Sequence, residues 1–244
     1  MTMSVAFVTG GSRGIGRAVA RRLAEEGYDV GVGCHTEVAA AERVAAEVRA
    51  LGRRAVVAVG DVADPGAVEN ACERVERALG PVDVLVANAG VATAPKGPLE
   101  ISTEDWDRVH AVNLRAPFLL VRALLPGMLE RGDGRIVFVS SIAAYTGGAI
   151  GAHYAASKAG LHGLAHSVAA QAAGRGVTVN VVAPGLIETD MVPDDPDVRE
   201  ALAQTRPVER LGRADEVADL VAAIVRNGYL TNQSIVLDGG AHPT

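Results

Sequence analysis

The feature that most constrains the fold is a series of seven short, valine-rich runs that recur along the whole chain. The runs lie at 4–9, 28–34, 55–59, 82–87, 135–140, 177–183 and 234–238. They are continuously apolar rather than alternating, which is typical of strands in a sheet that helices cover on both faces. Segments with apolar residues at helical spacing separate them, and this alternation favours parallel pairing. We therefore predict an α/β fold, a doubly wound parallel sheet of about seven strands with helices on both faces.

The chain also shows where helices start and gives no sign of a second domain. Asp64 before Pro65, and Ser102 three residues before Asp105, both resemble N-terminal helix caps. We find no linker, internal repeat or low-complexity stretch in the 244 residues. We therefore predict a single domain over 1–244.

The composition narrows the class of protein. With 23 basic and 29 acidic side chains the net charge is −6, which gives no reason to expect nucleic acid or an anionic membrane as a partner. No apolar stretch reaches the roughly 18–20 residues of a membrane-spanning helix, and no basic residue precedes Arg13 as in a signal peptide. Cys34 and Cys72 form no CxxC pair, and the six histidines show no metal-ligand spacing. We expect a cytoplasmic protein without a metal site.

Ligands of a doubly wound sheet bind beyond the carboxyl ends of its strands. The segments that follow the predicted strands are 9–16, 34–36, 60–62, 88–90, 140–141 and 184–189. The first reads TGGSRGIG and leads into a helix from about Gly14. Gly10, Gly14 and Gly16 lack the Cβ that would keep a phosphate away from the backbone, and the helix N-terminus offers free N–H groups. The loop therefore predicts a nucleotide site.

An arginine stands in the middle of this loop. Arg13 carries a planar, permanently charged guanidinium group that suits a phosphate. This predicts the 2′-phosphate of NADP as its ligand. Alternatively, Arg13 is a solvated loop charge and Glu37 accepts a hydrogen bond from a free ribose hydroxyl. His35 and Thr36, at the end of the second strand, are expected beside the same ribose.

Further motifs follow the glycine loop in a recognisable order. They are Asn88-Ala89-Gly90, Asn113, Ser141, Tyr154-x-x-x-Lys158 and Pro184-Gly185-x-x-x-Thr189. The set resembles the short-chain dehydrogenase/reductase superfamily over nearly the whole chain. Through 154–164, 176–191 and 210–218 it resembles most closely the β-ketoacyl-acyl carrier protein reductases. The resemblance implies a Rossmann-type fold and hydride transfer between a carbonyl and NADPH or, less expected, NADH.

Four side chains are the candidates for catalysis. Tyr154 and Lys158 share a helix face, so we expect the ammonium and the positive nicotinamide to lower the phenol's pKa from its usual ~10. Tyr154 can then protonate the alkoxide formed from a carbonyl, and Ser141 can hydrogen-bond the same oxygen. The resemblance implies that Lys158 also holds the nicotinamide ribose and that Asn113 holds a water linking Lys158 to solvent. Taken singly, each residue has another interpretation. Tyr154 and Lys158 are compatible with a packed surface pair, Ser141 with a turn at a strand end, and Asn113 with a polar group of the core.

The remaining cofactor contacts are predicted from their positions. Asp61 and Val62 end the third strand, where the carboxylate and the Val62 backbone are expected to contact adenine. The others lie in the glycine loop and after the fourth and sixth strands: Gly10, Ser12, Arg13, Gly14, Ile15, Gly16, Asn88, Ala89, Gly90, Pro184, Gly185, Ile187 and Thr189. His153, beside Tyr154, either lines the substrate mouth or is exposed.

A polar turn and a short amphipathic helix over 191–210 predict a mobile lid above the substrate. Beneath it we expect a 3-oxoacyl thioester on acyl carrier protein, reduced to the 3-hydroxyacyl form in fatty acid or polyketide synthesis. An acidic carrier needs a basic patch, and Arg131, Arg135 and Arg175 are the candidates. The resemblance implies a homotetramer built partly on the helix at 155–173.

Two other functions remain open from the sequence. The first is a related dehydrogenase for another ketone or secondary alcohol, such as a small carbonyl, sugar, steroid or polyketide, with NAD or NADP. The second is a nucleotide sensor without catalysis. A sensor needs no proton donor, so the joint presence of the four candidate catalytic residues argues against it.

Overall fold

One parallel sheet organises the molecule. The computed structural model describes residues 4–93 and 95–242. Its strands are β1 (Val5–Val8), β2 (Asp29–Cys34), β3 (Ala55–Val59), β4 (Val82–Ala87), β5 (Gly134–Val139), β6 (Val177–Pro184) and β7 (Ser234–Leu237). They pair in the order β3-β2-β1-β4-β5-β6-β7, and every pair is parallel. Each of the seven predicted runs is a strand, so the predicted doubly wound fold is confirmed.

Helices connect the strands. They are α1 (Gly14–Glu25), α2 (Val38–Ala50), α3 (Pro65–Leu79), α4 (Thr103–His110), α5 (Ala116–Arg131), α6 (Ala143–Thr146), α7 (Ala152–Ala172), α8 (Pro196–Gln204) and α9 (Ala214–Arg226). A π-helical turn, Ala111–Arg115, joins α4 to α5, and a 3-10 turn, Ala173–Arg175, follows α7. Both predicted caps form, because the side chains of Asp64 and Ser102 accept hydrogen bonds from the first turns of α3 and α4.

Apolar helix faces cover both sides of the sheet. On one side α1, α2 and α9 bury side chains such as Leu23, Val48 and Val221. On the other side α3, α5 and α7 do the same, with Val75 as an example. Fully burying a side chain of this size stabilises the fold by about 1.5–3 kcal/mol. At Gly31 a Cβ would lie 2.7 Å from the Val75 side chain, so α3 packs directly on the β2 backbone.

Parallel pairing brings the carboxyl ends of all the described strands to one edge of the sheet, here called the carboxyl edge. From β1 the chain runs outward through β2 to β3 and then returns to place β4 on the other side of β1. Such a reversal leaves a crevice beyond the two central strands, where open α/β sheets bind their ligands. The glycine loop after β1 and the segment after β4 both face this crevice.

One helical stretch is an exception to the expectation that no segment is long and apolar enough to span a membrane. Residues 103–131 form a continuous helical stretch that is long and apolar enough to span a membrane by length and composition alone. However, 50% of its apolar window is buried within the fold. Leu120, Leu124 and Met128 pack in the core beside the sheet. The stretch is therefore accounted for as a core helix.

Candidate active site

The loop after β1 is as tight as its glycines predict. Gly10 and Gly14 have φ angles of +63° and +52°, which glycine adopts without strain. Position 16 has no room for a side chain, because a Cβ on Gly16 would lie 2.1 Å from the carbonyl oxygen of Gly10. The loop therefore presents bare backbone to the crevice.

The N-terminus of α1 lacks a capping side chain. Arg13 is its cap residue but makes no capping hydrogen bond, and no acidic residue stands in the first turn. The N–H groups that begin a helix without such a cap are suited to an anion. Ser12 is partly buried in the loop, and the Ile15 side chain packs against the core, which leaves its backbone for a ligand. This cradle fits the pyrophosphate of a dinucleotide.

Arg13 has a partner across the crevice. Its guanidinium nitrogen lies 3.3 Å from a carboxylate oxygen of Asp190, in the segment after β6. Both side chains are largely exposed, at 66% and 70%, so this ion pair is weakly stabilising. Arg13 therefore stays available to a phosphate.

The end of β2 carries the residues expected beside the adenosine ribose. His35 is exposed, and its Nε2 lies 4.0 Å from Oδ2 of Asp61. The carbonyl of Thr36 accepts a hydrogen bond from Val38, and Glu37 is the exposed cap residue of α2. Since Arg13 and Glu37 are both accessible, the two alternatives for the ribose both remain open.

Asp61 is bound by its neighbours. Its Oδ1 accepts a hydrogen bond from the Ala63 N–H at 2.9 Å, and its Oδ2 accepts one from Arg108 at 2.8 Å. Burial alone would raise the pKa of Asp61, but the hydrogen bond from Arg108 and the other favourable contacts hold it below its ordinary value. Val62 packs against the core of its side of the sheet. The predicted contacts with adenine stay predictions.

The segment after β4 is held to the glycine loop. The backbone N–H groups of Asn88 and Ala89 both donate to Thr9 Oγ1 at 3.1 Å. The Asn88 side chain donates to the carbonyls of Thr9 and Gly10 at 3.0 and 3.2 Å. Asn88 therefore fixes the shape of the loop, and Thr9 is a positioning residue that the sequence analysis missed.

Asn113 lies in the π-helical turn between α4 and α5 and is completely buried. Its amide pairs with Val91 in both directions, accepting from its N–H at 2.8 Å and donating to its carbonyl at 3.0 Å. It also donates to Ser157 Oγ at 3.1 Å, and that hydroxyl donates to the carbonyl of Tyr154 at 2.8 Å. A π turn often marks a functional site, and here it links the loop after β4 to α7.

Lys158 is a buried ammonium with a main-chain acceptor. Its Nζ donates to the carbonyl of Val139, at the end of β5, at 2.8 Å. Burial lowers its pKa from the ordinary 10.5 to about 8, and no carboxylate in the described chain counteracts this. A Cβ on Gly90 would lie 3.3 Å from this Nζ and 3.4 Å from Asn113 Oδ1. Gly90 therefore leaves room beside both predicted catalytic groups.

Tyr154 lies beside Lys158 and Ser141. The ammonium of Lys158 is 5.8 Å from the centre of the phenol ring. Burial raises the pKa of Tyr154, while a side-chain hydrogen bond with Ser141 acts in the opposite direction. The lowered pKa that we expect counts on the positive nicotinamide as well as on the ammonium, whereas in the protein alone the desolvation of a 7% exposed phenol has the larger effect. Ser141 also accepts from the Ala143 N–H at 3.2 Å, which fixes its hydroxyl.

The segment after β6 closes the crevice from the far side. Pro184 is the last residue of β6, and a Cβ on Gly185 would lie 2.7 Å from the Cβ of Asp238. Ile187 is buried and forms an isolated bridge with Gly212. The side chain of Thr189 faces Gly14 of the glycine loop, 3.3 Å from where a Cβ on that glycine would stand. Thr189 and the glycine loop therefore meet at the crevice.

His153 is fully buried, so the alternative that it is exposed is wrong. Its Nε2 lies 2.8 Å from Thr93 Oγ1, in the loop after β4. It therefore holds that loop to the first turn of α7, one residue before Tyr154.

The three arginines predicted to dock a carrier lie at the opposite, amino edge of the sheet. Arg131 donates to the carbonyl of Val82 at the start of β4, and Arg135 donates to the carbonyl of Gly176 and to that of Gly134. Arg175 is exposed and donates to the carbonyl of Leu129. The patch therefore lies at the other end of the strands from the candidate catalytic groups of its own chain, and its role in docking a carrier stays a prediction.

The predicted lid segment contains α8, which buries none of its side chains. Arg199 on this helix contacts Glu188 at 3.0 Å, Asp194 at 3.3 Å and the carbonyl of Pro193 at 2.9 Å. The helix is therefore held to the segment after β6 mainly through one arginine.

The chain is similar to known proteins over most of its length. Residues 4–199 match the family described as short chain dehydrogenase. The chain is 38% identical to an acetoacetyl-CoA reductase of Cupriavidus necator, over 99% of each chain. It is also 38% identical to the 3-oxoacyl-(acyl-carrier-protein) reductase FabG of Escherichia coli K12, over 98% of this chain and 97% of the relative. Its fold is similar to that of a blue fluorescent protein from a metagenomic library in complex with NADPH, with 40% identity, a TM-score of 0.91 and 98% coverage of both chains.

The family match covers the glycine loop and all four candidate catalytic residues. The two relatives are similar over almost their whole length, and the structural likeness covers 98% of this chain. The chain is thus an oxidoreductase that belongs to the short-chain dehydrogenase/reductase family.

Proposed function

We propose that this protein uses NADPH to reduce the ketone of a 3-oxoacyl thioester to the 3-hydroxyacyl form. The observation that carries the proposal is the grouping of Ser141, Tyr154 and Lys158 at the carboxyl edge, beside a cradle suited to a dinucleotide. Asn113 is tied through Ser157 to the same turn of α7.

The roles of the side chains follow from their surroundings. A nicotinamide cofactor held by the glycine loop would supply a hydride to the carbonyl carbon. Tyr154 has a raised pKa, stays protonated at neutral pH and donates its proton to the carbonyl oxygen. Ser141, already within hydrogen-bond reach of that phenol, donates to the same oxygen. Lys158 is an ammonium below about pH 8 and stabilises the phenolate that remains.

NADPH is favoured over NADH by the side chains around the glycine loop. The exposed guanidinium of Arg13 is the fixed positive charge of the loop itself, and a guanidinium binds a phosphate through paired hydrogen bonds. The NADPH complex of the similar solved structure supports this choice. The other predicted cofactor contacts, from Gly10 in the glycine loop to Thr189 after β6, are proposed to bind the same dinucleotide.

A thioester substrate is supported by the names of two relatives, one acting on acetoacetyl-CoA and one on carrier-bound 3-oxoacyl groups. We assign the segment 191–210 as the lid over the acyl chain, because α8 is exposed and is held mainly by Arg199. The prediction of a carrier-docking patch is kept for Arg175 alone. A carrier bound at the amino edge of one chain would deliver its acyl group to the active site of a second copy of the chain, which is consistent with the proposed homotetramer.

The test is a substrate panel measured by oxidation of NADPH and of NADH. It contains acetoacetyl-CoA, the acetoacetyl group on acyl carrier protein, simple ketones and quinones. We expect the thioesters to exceed the simple ketones in kcat/KM by roughly tenfold or more, and NADPH to be preferred over NADH.

The matched control is Tyr154→Phe, which removes the donated proton and keeps the ring. It should lose about 10²–10⁴-fold in kcat while still binding NADPH. A Phe variant as active as the wild type would exclude the catalytic assignment.

The alternative is a reductase or dehydrogenase for another carbonyl or secondary alcohol. The catalytic groups recognise a carbonyl and its oxygen rather than a thioester, so they fit this function equally well. A simple ketone or a sugar that turns over faster than both thioesters would favour it. Cytoplasmic location is proposed on the two free, buried thiols, Cys34 and Cys72.

A further inference from the structure

One ridge of α7 continues beyond the catalytic pair. Tyr154, Lys158, His162 and His166 follow each other at intervals of four residues, which places them on one side of the helix. His162 is partly buried, and nothing in the mechanism above uses it. It stands one turn after Lys158, beside the end of β5.

One ring nitrogen of His162 has a defined partner. Its Nε2 lies 3.0 Å from Ser140 Oγ, and that hydroxyl donates its single proton to the carbonyl of Lys158 at 2.9 Å. Ser140 can therefore only accept from the ring, so Nε2 carries a hydrogen. The contact fixes the tautomer of His162.

The other ring nitrogen faces two hydroxyl groups. Nδ1 lies 2.9 Å from Ser234 Oγ on β7 and 3.4 Å from the hydroxyl of Tyr145 on α6. Either group can donate to it, which suits the neutral tautomer. The Tyr145 ring also packs edge-on against the imidazole, with centroids 5.1 Å apart. His162 thus joins α6 and α7 to the segment that follows β5 and to the first residue of β7.

We propose that neutral His162 is a positioning residue for the reduction, because it holds the Ser140–Ser141 corner against the turn of α7 that carries Lys158. Ser141 is the next residue after Ser140, and it must stay in hydrogen-bond reach of Tyr154. If the imidazole is lost, the Ser140 hydroxyl keeps its bond to the Lys158 carbonyl but loses its second contact with α7, so the corner is held to that helix less firmly. The inference rests on the proposed function, since it concerns the same catalytic groups.

The charge state of His162 follows from what faces it. Burial lowers its pKa below the ordinary 6.5, and the neighbouring His166 lowers it further. Among the described residues, the titratable groups that face the ring are Tyr145 on α6 and His166 on α7, and the ring of His242 lies tilted against Tyr145 with centroids 5.7 Å apart. Protonation would turn Nδ1 into a donor, so the hydroxyls of Ser234 and Tyr145 would have to reorient to accept from it. Acid should therefore disturb the corner.

The experiment compares His162→Leu, which removes both ring contacts, with His162→Gln, whose amide can still donate to Ser140 and does not titrate. With acetoacetyl-CoA as substrate, we expect His162→Leu to lose roughly tenfold in kcat with an almost unchanged KM for NADPH. His162→Gln should recover most of this loss, and its kcat should not fall in acid, whereas the kcat of the wild type should fall as His162 becomes protonated below the ordinary imidazole pKa. His166→Leu, one turn further along, is the matched control and should behave as the wild type.

Two kinetic outcomes would overturn the proposal: a folded His162→Leu variant with the kcat of the wild type, or a folded His162→Gln variant as slow as the Leu variant. If the Leu variant does not fold, ¹⁵N spectra of the wild-type imidazoles decide. A neutral His162 with its hydrogen on Nε2 at pH 7 supports the proposal, whereas hydrogen on Nδ1 or on both nitrogens excludes it. These spectra do not depend on turnover, so they test the role of His162 even if the protein is inactive. A wild type that reduces none of the carbonyls in the panel would contradict the proposed function and not the tautomer of His162.

Discussion

Buried charged side chains have different partners at the two edges of the sheet. At the amino edge, Asp29 is 1% exposed and accepts hydrogen bonds from the backbone and the side chain of Arg54, each at 2.8 Å. At the carboxyl edge, Lys158 is 4% exposed and has a carbonyl oxygen as its acceptor instead of a carboxylate. A paired buried charge is compatible with a stable fold, whereas an unpaired one costs stability and shifts its pKa toward neutrality. The comparison separates the groups that maintain the fold from those that perform the chemistry.

The largest expected effect comes from removing the unpaired charge. Lys158→Met keeps most of the buried stem, and we expect it to lower kcat by about 10²-fold or more, because the phenolate of Tyr154 loses its cation. At pH 7 the variant should nevertheless be more stable than the wild type toward denaturant.

The stability gain of the Met variant should depend on pH. The pKa of Lys158 is about 8 in the folded state and 10.5 ordinarily. Between these values the unfolded chain binds the extra proton, so wild-type stability rises with pH relative to the Met variant. Denaturant unfolding at pH 7 and pH 10 measures this change. A Met variant that is less stable than the wild type at pH 7 would contradict the account.

A second substitution tests the cradle at the carboxyl edge. In Gly16→Ala the new Cβ would lie 2.1 Å from the carbonyl oxygen of Gly10, so the glycine loop has to move. We expect the Kd for NADPH to rise by roughly tenfold or more, as measured by quenching of protein fluorescence. Gly163→Ala on α7 is the matched control, because nothing lies within 4 Å of its Cβ position. If both variants bind NADPH equally well, the loop is not the cofactor site.

A third substitution tests the paired charge at the amino edge. Asp29→Asn should cost about 2–3 kcal/mol in the free energy of unfolding, since hydrogen bonds to a buried charge are lost. Burial favours a raised pKa for Asp29, but the hydrogen bonds from Arg54 outweigh it and lower the pKa. The extra stability is therefore present above about pH 4 and is lost as the pH falls toward the folded-state pKa. Unchanged kcat is expected, and a large loss of kcat would show that the two edges are not separate.

The smallest expected effect concerns Arg175. Arg175→Glu should raise the KM for a carrier-bound thioester about threefold and leave that for acetoacetyl-CoA unchanged, because only the carrier meets the amino edge. Arg43→Glu, at an exposed position on α2, is the control of equal charge change. Equal effects on both substrates would remove the docking prediction.

The sequence predicts the fold almost completely and the site in part. All seven strands are visible because valine runs and helical spacing are local patterns. Tyr154 and Lys158 are found because both belong to one helix. The contact between Thr9 and Asn88 joins residues 79 positions apart, and no local pattern signals it.

Three features of the site lie outside such patterns. The π turn at Asn113 leaves the apolar spacing of α4 and α5 intact, so the sequence reads as one helix. The raised pKa of Tyr154 depends on how deeply the phenol is buried. The location of Arg131 at the amino edge depends on where α5 ends relative to β4.

Lys158 is a buried ammonium with no carboxylate partner among the described residues, and the decisive experiment is to titrate its Nζ by ¹⁵N nuclear magnetic resonance. In the protein without added substrate, we expect a pKa of about 8 for Lys158. A value near the ordinary 10.5 would contradict it, because the charge would then be solvated or paired.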